Sequence, residues 1–273
     1  MKLGVTLRNM GVQSSRALLL EAARAAEAAG LESLWITDHI AIPPDDAEGS
    51  GGRYLDPLVT LSVIAGATTR INLGTGVLIL PYRPPLPTAK QVASLQELSG
   101  ERLLLGVGIG WMDAEFRALG LERGERGRQS DSLLEFLRRS FLSEDDIVKA
   151  NGQSFLFRPN PTMPPVYIGG RAPHALTRAV RHDAGWLPMG GDPERLRSDL
   201  QRFEDLAGAA GKARGPVCVM RPLPLDQPDE SCRLLEQYET LGVERIICAT
   251  RYDNLSEYTA SLEMIQAVIS ARS

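Results

Sequence analysis

The chain has 273 residues, of which 43% are apolar and 23% charged, with a formal net charge of −4. That length suits one large α/β barrel of about 250 residues, and without a basic block a nucleic-acid surface is not expected. No apolar run reaches the roughly 18 residues of a membrane span, Met1–Arg8 is charged too early for a signal peptide, and three scattered cysteines suggest buried thiols in a cytoplasmic protein.

Apolar periodicity then orders the chain. Lys2–Leu7 reads as a buried strand, and Leu19, Ala22, Ala23, Ala26 and Ala29 mark one face of a helix that Gly30 stops. Leu31–His39 is the second strand. A Pro-, Asp- and Gly-rich loop over 40–55 follows, then Asp56-Pro57 as N-cap and first turn of a helix reaching about Arg70. Ile71–Leu80 is strand three, Pro85–Leu98 helix three and Arg102–Ile109 strand four, with helical pattern continuing to Phe141. A short insertion over 142–165 has the composition of a small hairpin. Pro165–Gly170, Gly185–Gly190, Pro216–Arg221 and Glu244–Thr250 are strands five to eight; helices follow from Pro173, Asp192-Pro193, Ser231 and Ser256.

Eight strand–helix units in a single domain over 1–273 favour a closed (β/α)8 TIM barrel, because short apolar strands without alternation suit a parallel sheet covered on both faces. An open doubly wound sheet would carry a glycine fingerprint after its first strand, and Thr6–Gly11 is not one.

In a barrel of this kind chemistry sits where strands end and helices begin. Strand two ends in Asp38-His39, an acid and an imidazole. His39 is suited to moving a proton near neutral pH, and a hydrogen-bonded structural histidine is the equally weighted alternative. Gly74 and Gly76 are unusual inside an apolar strand; they mark either tight packing or a flat ligand pressed on the backbone. Gly108-Ile109-Gly110-Trp111 and Gly169-Gly170-Arg171 are glycine corners leading into helices, where free N–H groups attract an anion. Tight turns would look the same. His174 and His182 fall on a helix and read as surface or packing residues, and three scattered histidines do not suggest a metal site.

The segments SLWITDH, the long run from Asp56 to Trp111, and PPVYIGGRAPHALTRAVRHDAGWLP resemble the bacterial luciferase-like flavin enzymes, most closely the coenzyme F420-dependent branch. The likeness runs from Met1 to about Pro188 and more weakly to the end. It implies a barrel with a flavin or deazaflavin ring at its C-terminal mouth, lying on a strand-three bulge with a cis peptide at Gly76–Val77. It places the cofactor phosphate on Ile109-Gly110 and Gly169-Gly170-Arg171. Asp38 and His39 match the family's acid–histidine pair beside the ring, and Trp111 would wall the ring pocket. Sugar-phosphate dehydrogenases of the superfamily have a carboxylate where this chain has Trp111, which argues against that substrate class. The chain departs from the family at Asp183-Ala184-Gly185-Trp186, where a GDGW sequence is common, and at Arg171 and His174.

The expected activity is hydride transfer between F420 and a small organic substrate, with the 40–55 loop as a lid and Arg53 and Tyr54 near the ligand. An FMN-dependent monooxygenase fed by a partner flavin reductase, or a non-catalytic flavin-binding barrel, is the alternative. A homodimer is compatible with the apolar faces of helices two and three.

Overall fold

The computed structural model describes residues 1–272. The chain alternates strand and helix as β1 (Lys2–Thr6), α1 (Arg16–Ala28), β2 (Ser33–Ile36), α2 (Pro57–Ala65), β3 (Asn72–Thr75), β4 (Leu78–Ile79), α3 (Pro85–Leu98) and β5 (Leu103–Gly108). It continues with α4 (Asp113–Ala118), α5 (Arg126–Phe141), β6 (Ile147–Ala150), β7 (Gln153–Leu156), β8 (Val166–Gly169), α6 (His174–Arg181) and β9 (Gly185–Leu187). The last elements are α7 (Pro193–Ala209), β10 (Cys218–Arg221), α8 (Pro228–Thr240), β11 (Arg245–Cys248) and α9 (Leu255–Ala271).

The main sheet runs β10-β11-β1-β2-β3-β5-β8-β9, every pairing parallel, and β4 adds to β5. Single parallel bridges, Trp186 to Val217 and Met189 to Met220, join β9 to β10 and close the circle. This is the expected (β/α)8 barrel. Its start and finish are zipped together, since β1 lies in register against β11.

Local chemistry explains the elements. Asp56 caps α2 by accepting from the Val59 amide, and Asp192 caps α7 by accepting from Glu194. Asn254 caps α9 while Glu257 reaches back to the Asp253 amide.

Four expectations need correction. The helix from Asp56 stops at Ala65. Strand three is broken at Gly76-Val77 into β3 and β4. The long helical run after strand four is two helices, parted by a turn in which Gly120 has φ 68°. The second half of the 40–55 loop is stitched to the segment after β1: Leu55 donates to Asn9 and Gly11 to Arg53, and the Arg53 guanidinium holds Ser14 rather than facing a ligand. The 142–165 insertion contains the antiparallel hairpin β6–β7.

Inside the barrel Trp35, Leu104, Tyr167, Leu187, Cys218, Met220 and Ile247 form a separate core. Trp35 and Tyr167 meet edge to face, with centroids 6.2 Å apart. Gly74 exists for this packing: a Cβ there would lie 2.2 Å from the Trp35 ring. At the strand starts, Arg245 is 1% exposed and forks onto Glu32 with two 2.7 Å hydrogen bonds, while donating to the Tyr167 hydroxyl.

Candidate active site

β2 ends at Ile36, so Asp38 and His39 both lie beyond the strand and escape the alternation that would have turned one away. Both line a cavity of about 370 Å³ at the C-terminal mouth. Its other walls are the Gly76-Val77 bulge, the Ile109-Gly110-Trp111 corner and the Gly169-Gly170 corner, with Met189. The Gly76–Val77 peptide is cis. The fold thus gathers most of the residues singled out from the sequence; Gly74 packs on Trp35 inside the barrel, and Arg171 is exposed beside the corner, so neither forms part of the wall.

The glycines have distinct causes. A Cβ on Gly108 would sit 2.4 Å from one methyl of Val77, and a Cβ on Gly169 2.6 Å from the other. These two positions are bare because the bulge residue is seated on them. Gly110 takes φ 74° and turns the chain over Ile79 and Phe116.

Asp38 is not the acid that serves His39. Its carboxylate is 3% exposed at the residue level and is forked by Arg83 at 2.6 and 3.0 Å, with a third bond from the Ile79 amide at 2.8 Å. Burial is the largest influence and leaves this carboxyl above its ordinary value, although Arg83 and the Ile79 amide pull the other way. Arg83 also reaches Asp56 at 3.0 Å, so the bulge, the end of β2 and the start of α2 share one clamp.

The partner of His39 is Glu115, on the first turn of α4, which sequence reasoning passed over. Its Oε2 is 2.9 Å from His39 Nδ1 and accepts from the Tyr82 hydroxyl at 3.0 Å; Oε1 accepts from the amides of Ile40 and Ala41 at 2.6 and 3.0 Å. Burial alone would raise the Glu115 carboxyl. The bonds from His39, Ala41 and Ile40 outweigh it and hold the group below the ordinary value. Burial, then the same carboxylate, pushes the Tyr82 phenol up, so that it stays a donor. An ionised Glu115 only accepts; His39 therefore carries its proton on Nδ1 and presents Nε2 elsewhere. Tyr54, at 4.9 Å between centroids, and Trp111, edge-on at 6.1 Å, flank the imidazole.

His182 is held by Asp131, and His174 is exposed, as packing and surface residues. Among the described residues no cluster of His, Cys, Asp and Glu has the geometry of a metal site.

The donor set fits a flat ring with an anionic tail. Val77, Ile79 and Ile109 offer a carbon surface, His39 one titratable edge, and the two glycine corners lie side by side on the same wall. Among the described residues the Arg171 amide donates to no protein acceptor, which leaves it available to an anion.

A family model described as luciferase-like monooxygenase matches residues 5–264. An uncharacterised protein of Mycobacterium tuberculosis is 36% identical over 208 residues, covering 70% of this chain and 71% of its own. Among solved structures, an F420-dependent secondary alcohol dehydrogenase in complex with an F420-acetone adduct superposes with TM-score 0.80 at 16% identity, covering 100% of this chain and 99% of its own. The oxygenating constituent of 3,6-diketocamphane monooxygenase from Pseudomonas putida, in complex with FMN, gives 0.81 at 14% identity, covering 100% and 98%. The matched span takes in the bulge, the His39–Glu115 pair and both glycine corners, and the chain belongs to the luciferase-like monooxygenase family of oxidoreductases.

Proposed function

We propose that the protein moves a hydride between coenzyme F420 and an organic substrate. The observation that carries this reading is the single cavity in which the Gly76-Val77 bulge, two glycine corners and the oriented His39 converge. Val77 and Ile79 would support the deazaflavin ring, and the Arg171 amide, with the neighbouring Ile109-Gly110 corner, would hold its phosphate, the Arg171 side chain adding charge from the rim. When bound, F420 supplies a two-electron hydride acceptor or donor. The chain's own part is to orient the ring, exclude water and handle the accompanying proton. With Nδ1–H fixed on Glu115, Nε2 of His39 takes the proton that a hydroxyl loses as its carbon gives up hydride, and returns it in the reverse direction.

The likeness to an FMN-bound oxygenase component supports a second reading, a monooxygenase supplied with reduced FMN by a partner reductase. Fluorescence titration and calorimetry with both cofactors separate the two. Micromolar F420 binding with negligible FMN binding is the expected result, and the opposite preference overturns it. Gly170→Val should weaken F420 binding by about tenfold or more, because a branched side chain is strained at the Gly170 φ of 125° and would displace the corner; unchanged affinity would put the phosphate elsewhere.

A further inference from the structure

A second, larger cavity of about 860 Å³ opens beside the first, between the ends of β1, β10 and β11 and the 48–54 segment. Thr37 lines both. Met220 lines the larger one, and its terminal methyl lies against Gly76 of the smaller, 2.4 Å from where a Cβ would be. Anything held here is therefore next to the bulge on which the ring would lie.

The walls are mainly carbon, with Leu7, Met10, Met220, Leu223 and Leu225 among them. Against that background stand two arginines. Arg251 is exposed and, among the described residues, has neither a hydrogen-bond nor an ion-pair partner. Arg8 sits deeper. It spends its fork on neutral carbonyls, Tyr252 at 3.2 Å and Gly49 at 3.4 Å, its Nε has no partner, and the nearest carboxylate, the exposed Asp253, is 3.8 Å away. Exposed Glu48 is the one acidic group in the wall. A cation set in an apolar wall and met mainly by neutral dipoles has lost hydration without full compensation.

We infer that this cavity is the substrate site and that it takes a mainly apolar, drug-sized molecule bearing one anionic group, such as a carboxylate or sulfonate. The carbon skeleton packs between Met220 and Leu223, and the anion lies toward Arg251 and Arg8. The size is within the range of about 300–1,000 Å³ for sites that enclose molecules of that scale; two- and three-carbon alcohols would leave most of it empty. That this cavity feeds the redox centre rests on the function proposed above; its preference for apolar anions does not.

Two dyes with one skeleton test the inference: 8-anilinonaphthalene-1-sulfonate, which is anionic, and N-phenyl-1-naphthylamine, which is neutral. Each is titrated by fluorescence against the full-length protein. Arg251→Gln, a change at an exposed position, should weaken the sulfonate by about tenfold, the scale of one charge-assisted contact, and leave the neutral dye within about twofold. Ala249→Trp, which fills the cavity, should weaken both. Arg8→Gln repeats the first test from the deeper side. Equal responses of the two dyes to Arg251→Gln, or retention of both by Ala249→Trp, would overturn the inference. F420 titration of the same variants should show unchanged affinity. Failure of the wild-type protein to bind F420 would sink the proposed activity while leaving the dye results to decide the cavity.

Discussion

At the residue scale, the group that decides what His39 can do is Glu115, seventy-six positions away in sequence. Nothing about a glutamate in the first turn of a short helix marks it as buried. An exposed one would read the same, because acidic residues are favoured there in any case. Its burial comes from the fold, which brings α4 over the end of β2 and surrounds the carboxylate with Tyr82 and two amides. Asp38, by contrast, was legible as important but not in its role: the arginine that claims it lies beyond the bulge, where no spacing rule reaches. On the function proposed above, replacing His39 by Ala should keep F420 affinity within about tenfold and remove most turnover; surviving activity would make the imidazole structural. Glu115→Gln should act through the ring. An amide can donate as well as accept, so the 15N spectrum should change from one Nδ1–H form to a mixture of tautomers, with reduced turnover and cofactor affinity retained. A single, unaltered tautomer in that variant would deny Glu115 its orienting part.

At the element scale, strand and helix order could be read along the chain because short apolar runs, proline first turns and Asp caps each leave a local trace. The hairpin β6–β7 and the break between α4 and α5 left weaker traces, since exposed turns constrain composition little. Gly108 and Gly169 were legible as parts of glycine corners and illegible as to cause. Gly108 and Gly169 come from different strands, and only the assembled barrel shows that both are bare to seat Val77. Gly108→Ala should cost about 1–3 kcal/mol, the usual range for overpacking. Its backbone is not in the left-handed region, so the penalty is steric. Adding Val77→Ala should recover most of it, and a double-mutant cycle in urea measures the coupling. Additivity of the two changes would mean that Val77 and Gly108 do not compete for space.

At the scale of the whole molecule, the strand starts are pinned by Arg245, Glu32 and Tyr167. Burial would raise the Glu32 carboxyl, but the hydrogen bonds and charge of Arg245 hold it below its ordinary 4.5. A carboxylate with a depressed folded pKa stabilises the native state above its unfolded pKa and loses that contribution as pH falls through the folded one. Thermal stability should therefore decline as pH drops below about 4.5. Glu32→Gln should lower stability at neutral pH by somewhat less than the about 3–5 kcal/mol of a fully buried pair, because the Glu32 side chain keeps 24% of its exposure. The variant should also show a flatter acid limb. Parallel acid limbs in the two proteins would assign the decline to other carboxylates.

The circle of strands is not equally strong all the way round. Between β9 and β10 it is held by isolated bridges, with main-chain bonds from Trp186 to Pro216, Met220 to Pro188 and Gly190 to Met220. The two prolines there can accept but never donate. Local opening should start along this line, so the amides of Trp186 and Met220 should trade hydrogen for deuterium well before those of Leu34 and Ile246. Met189 and Met220 straddle that join and face the two cavities, so a ligand filling either one would act as a rivet, and the same two amides should slow most when it binds.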